Sequence, residues 1–224
     1  MRRFKLHNIN LILAVVFLAF SGLFAAESQV YEIHPSSQIV INGSSNINKF
    51  SFHSKNMMGK GYIDTSSVRI DSMNQPVEDA VNVFFTVDVK TFDSGNARMN
   101  QDMFKALKAE QYPNIHFELR SLQFDQFISQ TQVRFIARGY LSVAGVAKLI
   151  ALPVTVVQQE KNLYRLQGSK QIHMTDHYIE PPQALFGLVQ AKDKLTVKFD
   201  IIATQLPSNT FAVNLNDSET SRAN

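Results

Sequence analysis

His173 and His177 stand four residues apart, the spacing at which a helix presents two rings to one zinc ion. Their surroundings read as a strand entering a turn, where four residues span more than about 10 Å at ~3.3 Å per residue. No Glu follows His173 as the zinc signature requires, so both are read as surface or rim histidines. Gly43-Ser44-Ser45 lacks the Gly-x-Ser-x-Gly elbow of a nucleophilic serine and reads as turn chemistry. Asp88 and Asp93 flank Lys90, yet neither falls on an inward face where paired carboxylates could share a proton. The nine glycines are scattered, which leaves no phosphate-cradling loop. No catalytic residue, metal or cofactor is expected.

What recurs instead is apolar surface at regular spacing. Phe85 and Val87, Phe117 and Leu119, Phe135 and Ala137, Leu152 and Val154, and Phe199 fall on the inner faces of expected strands. Met103, Phe104 and Leu107 continue a helical stripe begun at Met99. Such a lining could hold a hydrocarbon chain, which gains ~25 cal/mol per Å² of apolar area removed from water. That gain needs no polar contact along the chain. A polar head group would then sit at the mouth, for which Lys90, Asn96, His173, Asp176 and His177 are the candidates.

The elements that must position these residues are nearly all strands. Ala80 to Val89, Ile115 to Phe127, Val133 to Val143, Lys148 to Gln158, Leu163 to Met174 and a last strand around Leu195 to Ile201 alternate apolar with polar residues. Shorter runs are expected at Gln38 to Asn42, Ile47 to His53 and Val68 to Asp71, with Met57 to Gly61 irregular. Gly139 and Gly168 mark bends or interruptions. The single helical stretch lies between the Ser94-Gly95-Asn96 turn and Pro113, which must end it. Polar outer faces argue against a parallel sheet covered on both sides. A sandwich and an up-and-down barrel fit the alternation equally.

Composition bounds the rest. The 224 residues, 45% hydrophobic, suffice for one domain. Arg2, Arg3 and Lys5, the apolar run Leu11 to Phe20, and small residues through Ala26 read as a secretory signal peptide. An apolar run of about ten residues is short of the ~20 that span a bilayer. Cleavage is expected after Ala25 or Ala26, which divides the chain into a leader (1–26), a domain (27–204) and a loose polar tail (205–224). Losing the three leader cations from 22 Lys+Arg leaves them level with 19 Asp+Glu, so no electrostatic case for nucleic acid remains. With no cysteine, a lipid-anchored leader is excluded.

Three ordered motifs carry a family resemblance. Phe92-Asp93-Ser94-Gly95-Asn96, Phe104 to Ala109 and Tyr112-Pro113-Asn114-Ile115-His116-Phe117 resemble the central motif of the YceI-like proteins. Gly139 to Lys148 resembles the turn that follows it. Met174 to Gly187, MTDHYIEPPQALFG, resembles the late motif of the branch common in Bacteroidetes-type bacteria. Gly43-Ser44-Ser45-Asn46 stands where that branch has a Gly-Thr-Ser turn. Where its members often carry a His-Asp-Trp-type segment, this chain has Asn48-Lys49-Phe50 and no tryptophan.

The resemblance covers roughly residues 30 to 204. It implies an all-β, lipocalin-like antiparallel up-and-down barrel of about eight strands, with one α-helix covering an opening. It also implies an apolar lumen for a polyisoprenoid or fatty chain. The expected protein is a non-enzymatic lipid binder in the periplasm or secreted, with transient membrane contact, and the resemblance allows a homodimer. The competing readings are a solid-cored interaction module and an enzyme acting on a lipid.

Overall fold

The computed structural model describes residues 28–64, 77–160, 162–184 and 186–206. The leader, the strand expected at Val68 to Asp71 and nearly all of the tail lie outside them. Strands β1 (Ser28–Ile33) and β2 (Gln38–Ser44) form one arm of a long hairpin. Strands β3 (Lys49–Ser54) and β4 (Met57–Asp64) form the other, with Ser44 opposite Lys49 and Ser28 opposite Asp64. Pro35, which has no N–H to donate, lies in the break between β1 and β2. Ser37 repairs that break by accepting the Ile202 N–H at 2.9 Å through its hydroxyl.

The chain then meanders through β5 (Val77–Asp88), the helix α1 (Ala97–Ala106), β6 (Asn114–Phe127), β7 (Gln132–Val143), β8 (Val146–Glu160) and β9 (Leu163–His173). A small hairpin, β10 (Gln183–Ala184) with β11 (Val189–Gln190), precedes β12 (Lys194–Gln205). Each long strand pairs antiparallel with its sequence neighbour, and β12 returns to both β1 and β2. The result is a closed eight-stranded antiparallel barrel. Closure is what separates it from a sandwich, because the last strand returns to pair with the first hairpin.

Several local expectations shift. The first hairpin turns at Ser45–Asn48 rather than Gly43–Asn46, since the Ser45 hydroxyl accepts the N–H groups of Ile47 and Asn48. Met57 to Gly61 is regular strand, paired with β5 from Met57↔Val87 onward. β9 runs unbroken through Gly168. The long β6 is bulged, with register shifts after Leu119 and after Phe124. The helix ends well before Pro113, because Lys108 adopts φ 52° and closes a Schellman motif. In it Ala109 N–H reaches Phe104 O at 2.9 Å and Lys108 N–H reaches Lys105 O at 3.0 Å.

One seam in the barrel is incomplete. β8 pairs with β7 from Val146 to Val157, but with β9 only from Val154↔Gly168 onward. Pro153 stands where that ladder stops. From there toward the α1 end, β8 and β9 part. The 3-10 turn Met174–His177 covers the top of the gap, where His177 Nδ1 lies 3.0 Å from the Val146 carbonyl.

Candidate ligand-binding lumen

The alternation places Ile41, Phe52, Val87, Leu119, Ala137, Leu152, Val154 and Ile201 inward and buried. Between them on the same faces stand Phe85, Phe117, Leu195, Val197 and Phe199, which keep accessible surface. Two packed groups result. One gathers Ile41, Phe52, Met57, Val87, Phe92 and Ile201 around Met103 of the helix. The other gathers Leu119, Ala137, Leu152 and Val154 deeper in the barrel. Only partly buried residues, Leu166 and Phe199 among them, touch both.

The large rings reach this arrangement by lying over glycines of the next strand. Phe199 directly opposes Gly168, and Phe50 directly opposes Gly43. A Cβ on Gly168 would meet the Phe199 ring and come within 2.6 Å of the Pro153 carbonyl oxygen. A Cβ on Gly43 would meet the Phe50 ring and come within 2.9 Å of Leu195. The glycines therefore let the rings press against the wall instead of filling the axis. Phe85 and Phe117 stack at 6.1 Å with an 11° interplanar angle, also flat to one another.

The helix is tied over one end by the Phe92–Asn96 segment. Phe92 is buried, and His53 and Asp93 exchange two backbone hydrogen bonds at 2.9 Å that join the segment to β3. The Asp93 carboxylate accepts the Asn100 amide at 2.7 Å and the Gly95 N–H at 2.9 Å. Those bonds, Asn100 first, hold its carboxyl below the usual carboxylate range. Asn96 caps α1 by accepting the Met99 N–H at 3.1 Å. Met99, Met103 and Leu107 then face the core.

Of the residues singled out by sequence, Phe85, Val87, Met103, Leu107, Phe117, Leu119, Ala137, Leu152, Val154 and Phe199 are brought together in the two groups. Phe135 lies toward the opposite end, where its ring meets Phe124 edge-on at 6.3 Å. Phe104 is partly exposed and joins neither group. The polar candidates all lie at the α1 end but do not bond to one another. Lys90 pairs with Glu110 at 2.7 Å, and Asn96 is the helix cap. His173 is exposed and bonds Asp193 at 2.9 Å, while Asp176 is exposed in the 3-10 turn. His177 is 3% exposed rather than a surface histidine. No cluster of three or more metal-ligating side chains occurs among the described residues.

Sequence reasoning passed over two lysines. Lys170 opposes Val197 and Lys148 opposes Leu141, so both carry a cation onto inward-facing positions beside the incomplete seam. The signal was available in the alternation Leu166, Gly168, Lys170, Ile172. It became meaningful only once the missing β8–β9 ladder was visible. Lys148 uses its position to reach the Tyr178 ring at 5.4 Å.

Residues 31–203 match the family model of the YceI-like domain. The fold is similar to that of Burkholderia cenocepacia BcnA, at 18% identity and TM-score 0.60, covering 77% of this chain and 99% of that one. A polyisoprenoid binding domain from Saccharophagus degradans gives 12% identity and TM-score 0.60 over 79% and 98% of the two chains. The Campylobacter jejuni YCEI protein gives 14% identity and TM-score 0.53 over 92% and 100%. At these identities the likeness is one of fold. Among curated protein sequences no match is found.

Proposed function

Because the chain belongs to the YceI-like domain family, we propose that its barrel is an apolar container for one long lipid chain, a polyisoprenoid or a fatty chain. The observation that carries this reading is the set of inward rings, Phe85, Phe117 and Phe199, that line the wall yet keep accessible surface. A solid core would bury them. The polyisoprenoid-binding description of the Saccharophagus degradans domain supports the ligand class. The leader-like N-terminus supports export and work in the periplasm.

The mechanism is passive binding rather than catalysis. Hydrocarbon enters the lumen and is held by apolar burial. The helix seals one end through Met99, Met103 and Leu107. Release follows when the chain meets an environment as apolar as the lumen. The test is organic extraction of the protein purified from its native host, followed by mass spectrometry. A stoichiometric long-chain lipid is expected, and Phe117→Ala should lower its occupancy with little change in urea midpoint. Protein that emerges empty, with Phe117→Ala as destabilising as a core truncation, would show a packed barrel instead.

A further inference from the structure

The end of the barrel that carries α1 also carries apolar side chains with nothing to pack against. Phe186 is fully exposed, Leu188 is 74% exposed and Ile47 is 66% exposed. They sit on two separate loops that the protein fastens together. Asn46 donates its side-chain amide to the Leu188 carbonyl at 2.9 Å and accepts the Gln190 N–H at 3.0 Å. Its own N–H reaches the Gln190 carbonyl at 3.1 Å, and Ser45 bridges Ala191. Phe186 is moreover held at φ 57°, a left-handed conformation in which its Cβ crowds the following carbonyl. A Phe held in that conformation with its ring in solvent gains no burial from this chain.

Charge identifies what these tips meet. Lys49 and Lys192 flank them, since Lys49 pairs with Ser44 and the Lys192 N–H bonds the Ser44 carbonyl. Arg98, Lys105 and Lys108 are exposed on and after the helix at the same end. None of these five has a salt bridge among the described residues. Of the acids at this end, Glu110 is offset by Lys90, whereas Asp93 accepts from the neutral Asn100 amide and Asp193 from Thr175 beside His173, and both keep their charge. Asp88, Asp102, Asp176 and Glu180 add to them, so the cations that mark out the tips are the two that flank them directly, Lys49 and Lys192. Protruding apolar tips backed by cations match an anionic bilayer surface, where tips enter the acyl boundary and lysines meet head groups.

We propose that this end docks on an anionic membrane through Phe186, Leu188 and Ile47. The proposal deepens the lipid-container reading and rests on it, because an insoluble chain must be collected from or delivered to a bilayer. The test is co-sedimentation of the chain from Glu27 onward, which contains the whole closed barrel, with vesicles. Vesicles of phosphatidylglycerol mixed with phosphatidylcholine are compared with phosphatidylcholine alone. Residues 1–26 are omitted because their apolar run would bind vesicles by itself.

Binding is expected to favour the anionic vesicles and to weaken with salt. Each lysine neutralised should cost on the order of fivefold, read with Lys49→Gln and Lys192→Gln. Phe186→Asn with Leu188→Ser should lower partitioning roughly tenfold or more while the urea midpoint holds or rises, because Asn accepts the left-handed conformation. Equal binding by wild type and the double variant, or none by either, overturns the proposal. So does a wild-type dimer in sedimentation velocity that the double variant abolishes, which would assign the tips to a second copy. Extractable lipid is measured on the same samples. Docking without internal lipid would fail the container reading alone, and lipid without docking would fail this proposal alone.

Discussion

At the residue scale, the glycines under the rings and the paired carboxylates make separable predictions. Gly168→Ala forces the Phe199 ring off the wall against a fixed Pro153 carbonyl, and should cost about 1–3 kcal/mol in urea denaturation. An unchanged midpoint would mean that the ring moves freely into the lumen. Asp200 accepts from Arg165 and Gln167, and the Arg165 hydrogen bonds are the first cause of its lowered carboxyl pKa. A depressed folded value stabilises the fold above the unfolded value of about 3.9. That stability is lost as pH falls through the folded value. The urea midpoint should therefore fall as pH drops below about 4, and Asp200→Asn should flatten part of that fall. Identical pH profiles for the two proteins would remove the pair from the explanation.

At the element scale, α1 is held by its ends as much as by its face. Met103 lies in the group that joins the helix to β2, β3, β4, β5 and β12, so Met103→Ala should cost about 2–5 kcal/mol, measured by thermal or urea melting. Lys108 occupies the left-handed position where glycine is the usual residue. Lys108→Gly should accordingly raise stability in urea denaturation, by up to about 1 kcal/mol, and a lowered midpoint would show that freedom added to the unfolded chain outweighs the relieved left-handed strain. The helix and its stripe were legible in sequence, because Met99, Met103 and Leu107 recur at helical spacing. Its true end was not. Pro113 is a visible stop signal, whereas a Schellman closure on a lysine has no sequence mark.

At the scale of the molecule, the barrel is closed but unevenly laced. Hydrogen exchange should protect Val154 to Val157 of β8, which have partners on both sides, longer than Val146 to Leu152, which lack a partner strand on the β9 side. Equal protection would show that the ladder continues past Pro153 in solution. The same gap gives Lys148 and Lys170 inward positions that an intact wall would have made costly.

The sequence by itself determined most of the residues that face in, because a period of two holds through the stretches that carry Phe85, Phe117, Leu152 and Phe199 and assigns them without reference to partners, whereas the bulge after Leu119 that turns Leu122 inward is not written in it. It also determined the helix, and three motifs pointed to the family that residues 31–203 match. Only the tertiary structure decided that the sheet closes, since alternation is the same in a sandwich and a barrel, while closure lies in the return of β12 to β1 and β2. It alone decided which glycine lies beneath which ring, and where the β8–β9 wall parts. Those are relations between strands far apart in the chain, and a one-dimensional pattern does not encode register between distant partners.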